Sequence, residues 1–249
     1  MIRLAATVLL ALPCAVLAQA PVDRVSLLGE ASSLDNGTPD WTSLTLGLSR
    51  HWSQRELVGV ELAQTRRFGV DDQEIAVSGA MPLSPSVTGN LRLAYSPSHK
   101  VLAQSTFAAG LQWEFRKAWL LHGAASRKTY STTDVLQRGV MLEHYFGNFS
   151  ALAGVHSVRA FGQNDAVYEL RGAWYYNDAS SLGVIASAGD EASQVAAGTL
   201  ALARVRSLAL VGRHAIGTGP WSVNYGVHRV RQGRFYTRTG ATLGVQRAF

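Results

Sequence analysis

Among the residues capable of acid–base or nucleophilic chemistry are seven histidines, with serines and carboxylates nearby. A nucleophilic site needs a hydroxyl and a base on one face within hydrogen-bond reach, and an acid to orient the base. His156 and Ser157 are adjacent, so on an extended strand they point to opposite faces. Glu143 and His144 fail for the same reason. His122 and Ser126 share a face, but extended backbone sets them about 13 Å apart. Asp71-Asp72 and Asp190-Glu191 lack the ligand spacing of a calcium loop. The chain also carries no phosphate-binding loop, zinc pattern or paired-carboxylate motif. No catalytic, cofactor-binding or metal site is therefore predicted.

The elements that position these residues are strands. The last stretch, Tyr236 to Phe249, sets Thr237, Thr239, Ala241, Leu243, Val245, Arg247 and Phe249 against Arg238, Gly240, Thr242, Gly244, Gln246 and Ala248. One face is largely apolar and the other small or polar. Leu44, Leu46 and Leu48 alternate in the same way with Thr45, Gly47 and Ser49. Phe107, Ala109, Leu111, Trp113 and Phe115 give the clearest apolar face, opposite Ala108, Gly110, Gln112 and Glu114. Turn-forming clusters such as Asp35-Asn36-Gly37-Thr38-Pro39-Asp40 and Gly147-Asn148 separate the segments. The pattern predicts an all-β, transmembrane, antiparallel up-and-down barrel of about 14 strands, within a range of 12 to 16. Termini on one side of a membrane require an even number. Ala196 to Ala203 is accordingly assigned to a loop opened by Gly189 to Gln194.

Arg3 followed by the apolar run Leu4 to Ala18 reads as a secretory signal peptide over residues 1–18, too short for a comfortable spanning helix. Residues 19–249 then form the barrel domain. The sole cysteine, Cys14, falls in the leader, so no disulfide is expected. Charged residues make up only 16% of the chain, well below the usual quarter. The net charge of +6 is assigned to lipid phosphates rather than nucleic acid, because the chain is exported. Its expected place is the outer membrane of a Gram-negative bacterium, among lipid and lipopolysaccharide.

Aromatics gather at strand ends. Trp52, Trp113, Phe115, Trp119, Phe146, Phe149, Tyr175, Tyr176, Trp221 and Phe249 fall at the periplasmic ends. Trp41, Phe68, Tyr95, Tyr130, Phe161, Phe235 and Tyr236 fall near the outer ends. Two interfacial girdles are expected. Alternation aims Glu30, Glu61, Arg92, Glu114, Glu143, Glu169 and Arg171 inward as lumen-lining residues. His122 is expected beside them, and His144 on the apolar face at the interface. His228 and Arg229, near an outer rim, are placed to meet lipid A phosphates.

Pro39-Asp40-Trp41, Arg67-Phe68-Gly69 followed by Asp72, Leu93 through Tyr95-Ser96-Pro97, and Tyr145-Phe146-Gly147 occur in order along the chain. With the terminal Phe249, these strings resemble the YaiO family of outer-membrane barrels. In barrels of this kind a terminal Phe is part of the signal read by the barrel-assembly machinery, which assigns that role to Phe249. Some relatives carry helical repeats ahead of the barrel; none are expected here, where only Gln19 to Arg24 precedes the first strand. The resemblance implies a non-enzymatic, porin-like narrow conduit or membrane component for surface polysaccharide export. Surface glycan and its export proteins are the implied partners, with no cofactor. The rival reading is a lipid- or glycan-modifying enzyme assembled across strands.

Overall fold

The computed structural model describes residues 21–249; the predicted signal peptide lies outside them. The strands are β1 (Val22–Leu34), β2 (Trp41–His51), β3 (Leu57–Arg67), β4 (Val70–Pro82), β5 (Val87–Tyr95), β6 (Ser105–Arg116) and β7 (Trp119–Thr129). They continue as β8 (Asp134–Phe146), β9 (Phe149–Ala160), β10 (Gln163–Asn177), β11 (Ser180–Ala196), β12 (Thr199–Ala215), β13 (Trp221–Gln232) and β14 (Tyr236–Ala248). Each pairs antiparallel with its chain neighbours, and β1 closes on β14 from Arg24↔Ala248 to Leu34↔Arg238. Closure leaves no sheet edge, so every strand finds hydrogen-bond partners without water.

The chain is apolar on its outside. Leu44, Leu91 and Leu111 are 54%, 43% and 52% exposed on the exterior. Their neighbours Gly47, Ala63, Ala76 and Ala94 are buried inside. A soluble sandwich would invert this pattern. Leu111→Arg, near the middle of β6, should therefore destabilise the barrel by about 2–4 kcal/mol in a bilayer. Gln112→Arg, one residue along and facing inward, should cost much less. Urea titration of both variants in lipid vesicles checks the assignment of faces, and equal losses would reject it.

The two ends differ. The end where β1 begins and β14 ends has a continuous exterior ring ladder. Trp113, Phe115 and Trp119 follow one another at 5.7 and 6.5 Å between centroids. His144 stacks on Trp119 at 4.0 Å. Phe146, Phe149, Trp174 and Tyr176 continue the ladder round to His214. Rings favour this depth because one part is apolar and the other tolerates water. His144 thus lies where its apolar-face position predicted.

Several aromatics assigned to the girdles turn inward instead, among them Phe68 and Phe235, which pack against the buried Trp41–Tyr236 cluster. Tyr175 is buried, with its hydroxyl 3.3 Å from Ser150 Oγ. Trp41 and Tyr236 lie near the loop end as expected, but both are buried inside the mouth. Their parity places them on the inner set, and position along the strand alone did not distinguish ring from plug.

The loop assignment for residues 189–203 is also corrected. β11 and β12 run 17 residues each and stay paired to Gln194↔Leu200 and Ala196↔Thr199. A bulge lies between Gln194 and Ala196, and Gly198 turns the chain at φ 67°. That left-handed conformation suits glycine. Lengthening one hairpin adds no strand, so the count stays even.

Candidate functional site

At the loop end the long hairpin folds over the mouth. Gln194, on β11, accepts a 2.6 Å hydrogen bond at its backbone oxygen from the Tyr236 hydroxyl of β14. Its side-chain Oε1 accepts from Arg67 Nη1 of β3 at 3.5 Å. β3 and β11 are well separated around the cylinder, so Gln194 reaches across the opening. Ala192, Ser193 and Gln194 are all buried there.

Beneath the hairpin, Trp41 packs edge-on against Phe68 at 5.1 Å and Tyr236 at 5.8 Å. The Arg67 and Arg238 guanidinium carbons lie 4.9 and 5.1 Å from the Trp41 ring. The segment between β5 and β6, residues 96–104, completes the cover. Asp72 Oδ2 accepts the backbone N–H groups of Val101 at 2.6 Å and Leu102 at 2.8 Å. Val101, Leu102 and Ala103 are buried in consequence. The oxygen of Lys100 comes within 3.6 Å of where a Cβ on Gly198 would sit, so the two loops meet. The mouth is covered by packed side chains and anchored backbone.

Below the plug the wall is lined by ion pairs. Glu30 accepts from Arg238 at 2.7 Å. Arg92 bridges Glu61 at 2.6 Å and Glu74 at 3.6 Å. Glu143 lies 3.0 Å from His122 Nε2. Glu169 accepts from Arg171 at 2.5 Å and lies 4.0 Å from His156. Glu114 sits exposed at the terminal end, its Oε1 accepting the Ala118 N–H at 3.2 Å. Phe249 is 62% exposed, with its N–H bonded to Asp23 and the Arg247 guanidinium 4.6 Å from its ring. Sequence reasoning missed Arg238, Glu74 and Gln194 as members of these groups. Arg238 was legible, since it belongs to the polar set of the closing strand. Gln194 was not, because its partners are distant in the chain.

One contact resembles catalytic machinery. Ser32 Oγ lies 3.2 Å from His228 Nε2 across the β1–β14–β13 seam. His228 therefore faces the interior rather than the lipid. A serine–histidine relay needs its acid on the other ring nitrogen, Nδ1. Here Glu30 lies 3.8 Å from the same Nε2, and Arg238 donates to both Glu30 and Ser32. The four groups form a cross-strand latch with no orienting acid behind the imidazole. No cluster of His, Cys, Asp or Glu able to hold a metal occurs among the described residues.

A closed antiparallel cylinder with an apolar exterior, an aromatic belt and a polar, ion-paired interior defines a transmembrane β-barrel of the bacterial outer membrane. Residues 22–194 match the YaiO membrane beta barrel domain, and the chain belongs to that family. No curated protein sequence matches it. Among solved structures it is similar to a bacterial polysaccharide outer membrane secretin. The TM-score is 0.61 at 10% identity, covering 91% of this chain and 98% of that one. A monoaromatic hydrocarbon channel, CymD, is similar at TM-score 0.57 and 9% identity, over 94% and 89% of the two chains. Omp33 of Acinetobacter baumannii is similar at TM-score 0.55 and 12% identity, over 92% and 99%. At such identities the likeness is one of fold. The fold class orients the molecule: in such barrels short turns face the periplasm and the longer loops face outward.

Proposed function

We propose that the protein is a non-enzymatic outer-membrane conduit of narrow bore, closed at its outer mouth at rest, whose cargo is a surface polysaccharide. The observation that carries this reading is the plug. A barrel sealed along its length by its own side chains has no need of a separate cover, whereas here a hairpin and a loop lie over an ion-paired polar wall. Fourteen strands fall between the small barrels filled by their own side chains and the 16–18-stranded open porins. The wall carboxylates Glu30, Glu61, Glu74, Glu143 and Glu169 each have a basic partner a few ångströms away, which suits a hydroxyl-rich polymer better than a strongly cationic one. The likeness to a bacterial polysaccharide outer membrane secretin adds support for a glycan cargo. Export proteins in the periplasm would complete the route.

The test is flux from proteoliposomes loaded with neutral oligosaccharides, read with intact protein and with the outer cover removed. Release that depends on removing the cover supports the reading, and an impermeable barrel in both forms rejects it. The second reading, a lipid- or glycan-modifying enzyme, rests on the Ser32–His228 contact. It requires a modification of lipid A or surface glycan that disappears on deletion and returns only with Ser32 and His228 intact.

A further inference from the structure

On β12 and β13 the barrel exterior carries arginine toward the loop end. On β12 the outward side chains run Leu210, Leu208, Arg206, Arg204 toward the loop end, and all are exposed. On β13 they run Tyr225, Val227, Arg229, Arg231. The pairing sets Leu208 beside Arg229 and Arg206 directly opposite Arg231. Two adjacent strands thus change from apolar to cationic within one step of the ladder, which marks the edge of the hydrocarbon. Gly233 N–H donates to Arg204 O at 2.7 Å, bringing exposed Arg234 to the same corner.

Like charges directly opposite on a sheet are unfavourable without a counter-charge. The carboxylates nearby do not balance the patch. Asp190 lies 3.6 Å from Arg204. Asp35 accepts the Thr237 N–H at 2.7 Å, a bond that holds its carboxyl below the usual carboxylate range. A cleft of about 560 Å³ opens at this corner, lined by Asp35, Asn36, Arg229, Arg231, Arg234 and Phe235, among others. It contains three guanidinium groups against one carboxylate and lies just above the apolar band.

We propose that this corner of β12 and β13 is a binding site for the phosphorylated headgroup of the outer-leaflet glycolipid, lipid A. Arg206, Arg229 and Arg231 take the phosphates, and Leu208, Leu210 and Val227 pack on the acyl chains below. Arginine suits this task because its planar fork donates two parallel bonds to a phosphate. The cationic rows and the apolar rows share one face, so headgroup and chains of a single lipid are met together. The site lies on the exterior and holds whether or not the bore conducts.

Native mass spectrometry of the refolded barrel in a maltoside detergent tests it. The probes are bis-phosphorylated lipid A, the same lipid A stripped of phosphate, and inorganic phosphate. The intact protein should retain bis-phosphorylated lipid A saturably. The triple variant Arg206→Gln, Arg229→Gln, Arg231→Gln should bind it at least about tenfold more weakly. Arg127→Gln with Arg159→Gln, on β7 and β9, should bind as the intact protein does. Heat-modifiable electrophoretic mobility confirms folding; should the triple variant not fold, Arg206→Gln and Arg231→Gln are read singly, each with a smaller loss. Equal retention of phosphate-free lipid A, full displacement by millimolar inorganic phosphate, or unchanged binding by the variants would each overturn the proposal.

Discussion

Excision of residues 193–201, with Ala192 joined to Leu202 through an Asn-Gly turn, is expected to turn an electrically silent barrel into one that passes stepwise current across a planar bilayer. Ala192 and Leu202 are register partners, and a two-residue Asn-Gly connection suits a hairpin of that twist. The paired strands below the cut therefore keep their alignment. What disappears is Gln194, and with it the bonds to Tyr236 and Arg67 that hold the hairpin across the mouth. The contact between Gly198 and the oxygen of Lys100 goes as well, so residues 96–104 lose their backing. Single-channel recording of the intact and excised proteins, at matched insertion, measures the outcome. A folded but silent excised barrel would mean that the wall below closes the bore, and the conduit reading would fall.

Trp41→Ala should produce the largest loss of stability for a single substitution, about 3–5 kcal/mol for an aromatic removed from a packed site. Trp41 touches Phe68, Tyr236 and two guanidinium groups, so the truncation leaves a void that several strands border. Each edge-on ring pair adds roughly 0.5–1.5 kcal/mol beyond the area it buries. Trp41→Phe keeps part of this packing and should cost clearly less. Urea unfolding in vesicles, followed by tryptophan fluorescence and electrophoretic mobility, gives both values. A loss below about 1 kcal/mol for Trp41→Ala would show that the cluster is loosely packed and is not the foundation of the plug.

Alternation put Glu30, Glu61, Arg92, Glu143, Glu169 and Arg171 on the polar sets of their strands, because side chains on a strand alternate faces inside regular pairing. Their partners were less legible. Glu61 meets Arg92 and Glu74 across neighbouring strands, and which residues fall opposite depends on register and tilt. The loop reading of residues 189–203 failed for a related reason. Ala, Ser and Gly along that stretch give weak hydrophobic alternation, yet the hairpin forms because its inner face is buried over the mouth.

By itself the sequence determined the class of protein: alternate apolar positions, spaced turns and sparse charge allow a lipid-facing cylinder and little else. It also determined which side chains share a face, since parity is a local property of the backbone. Only the tertiary structure decided that the mouth is covered. Gln194, Arg67, Tyr236, Trp41 and the segment 96–104 meet there through long-range closure, and no periodicity along the chain records contacts between strands on far sides of a cylinder.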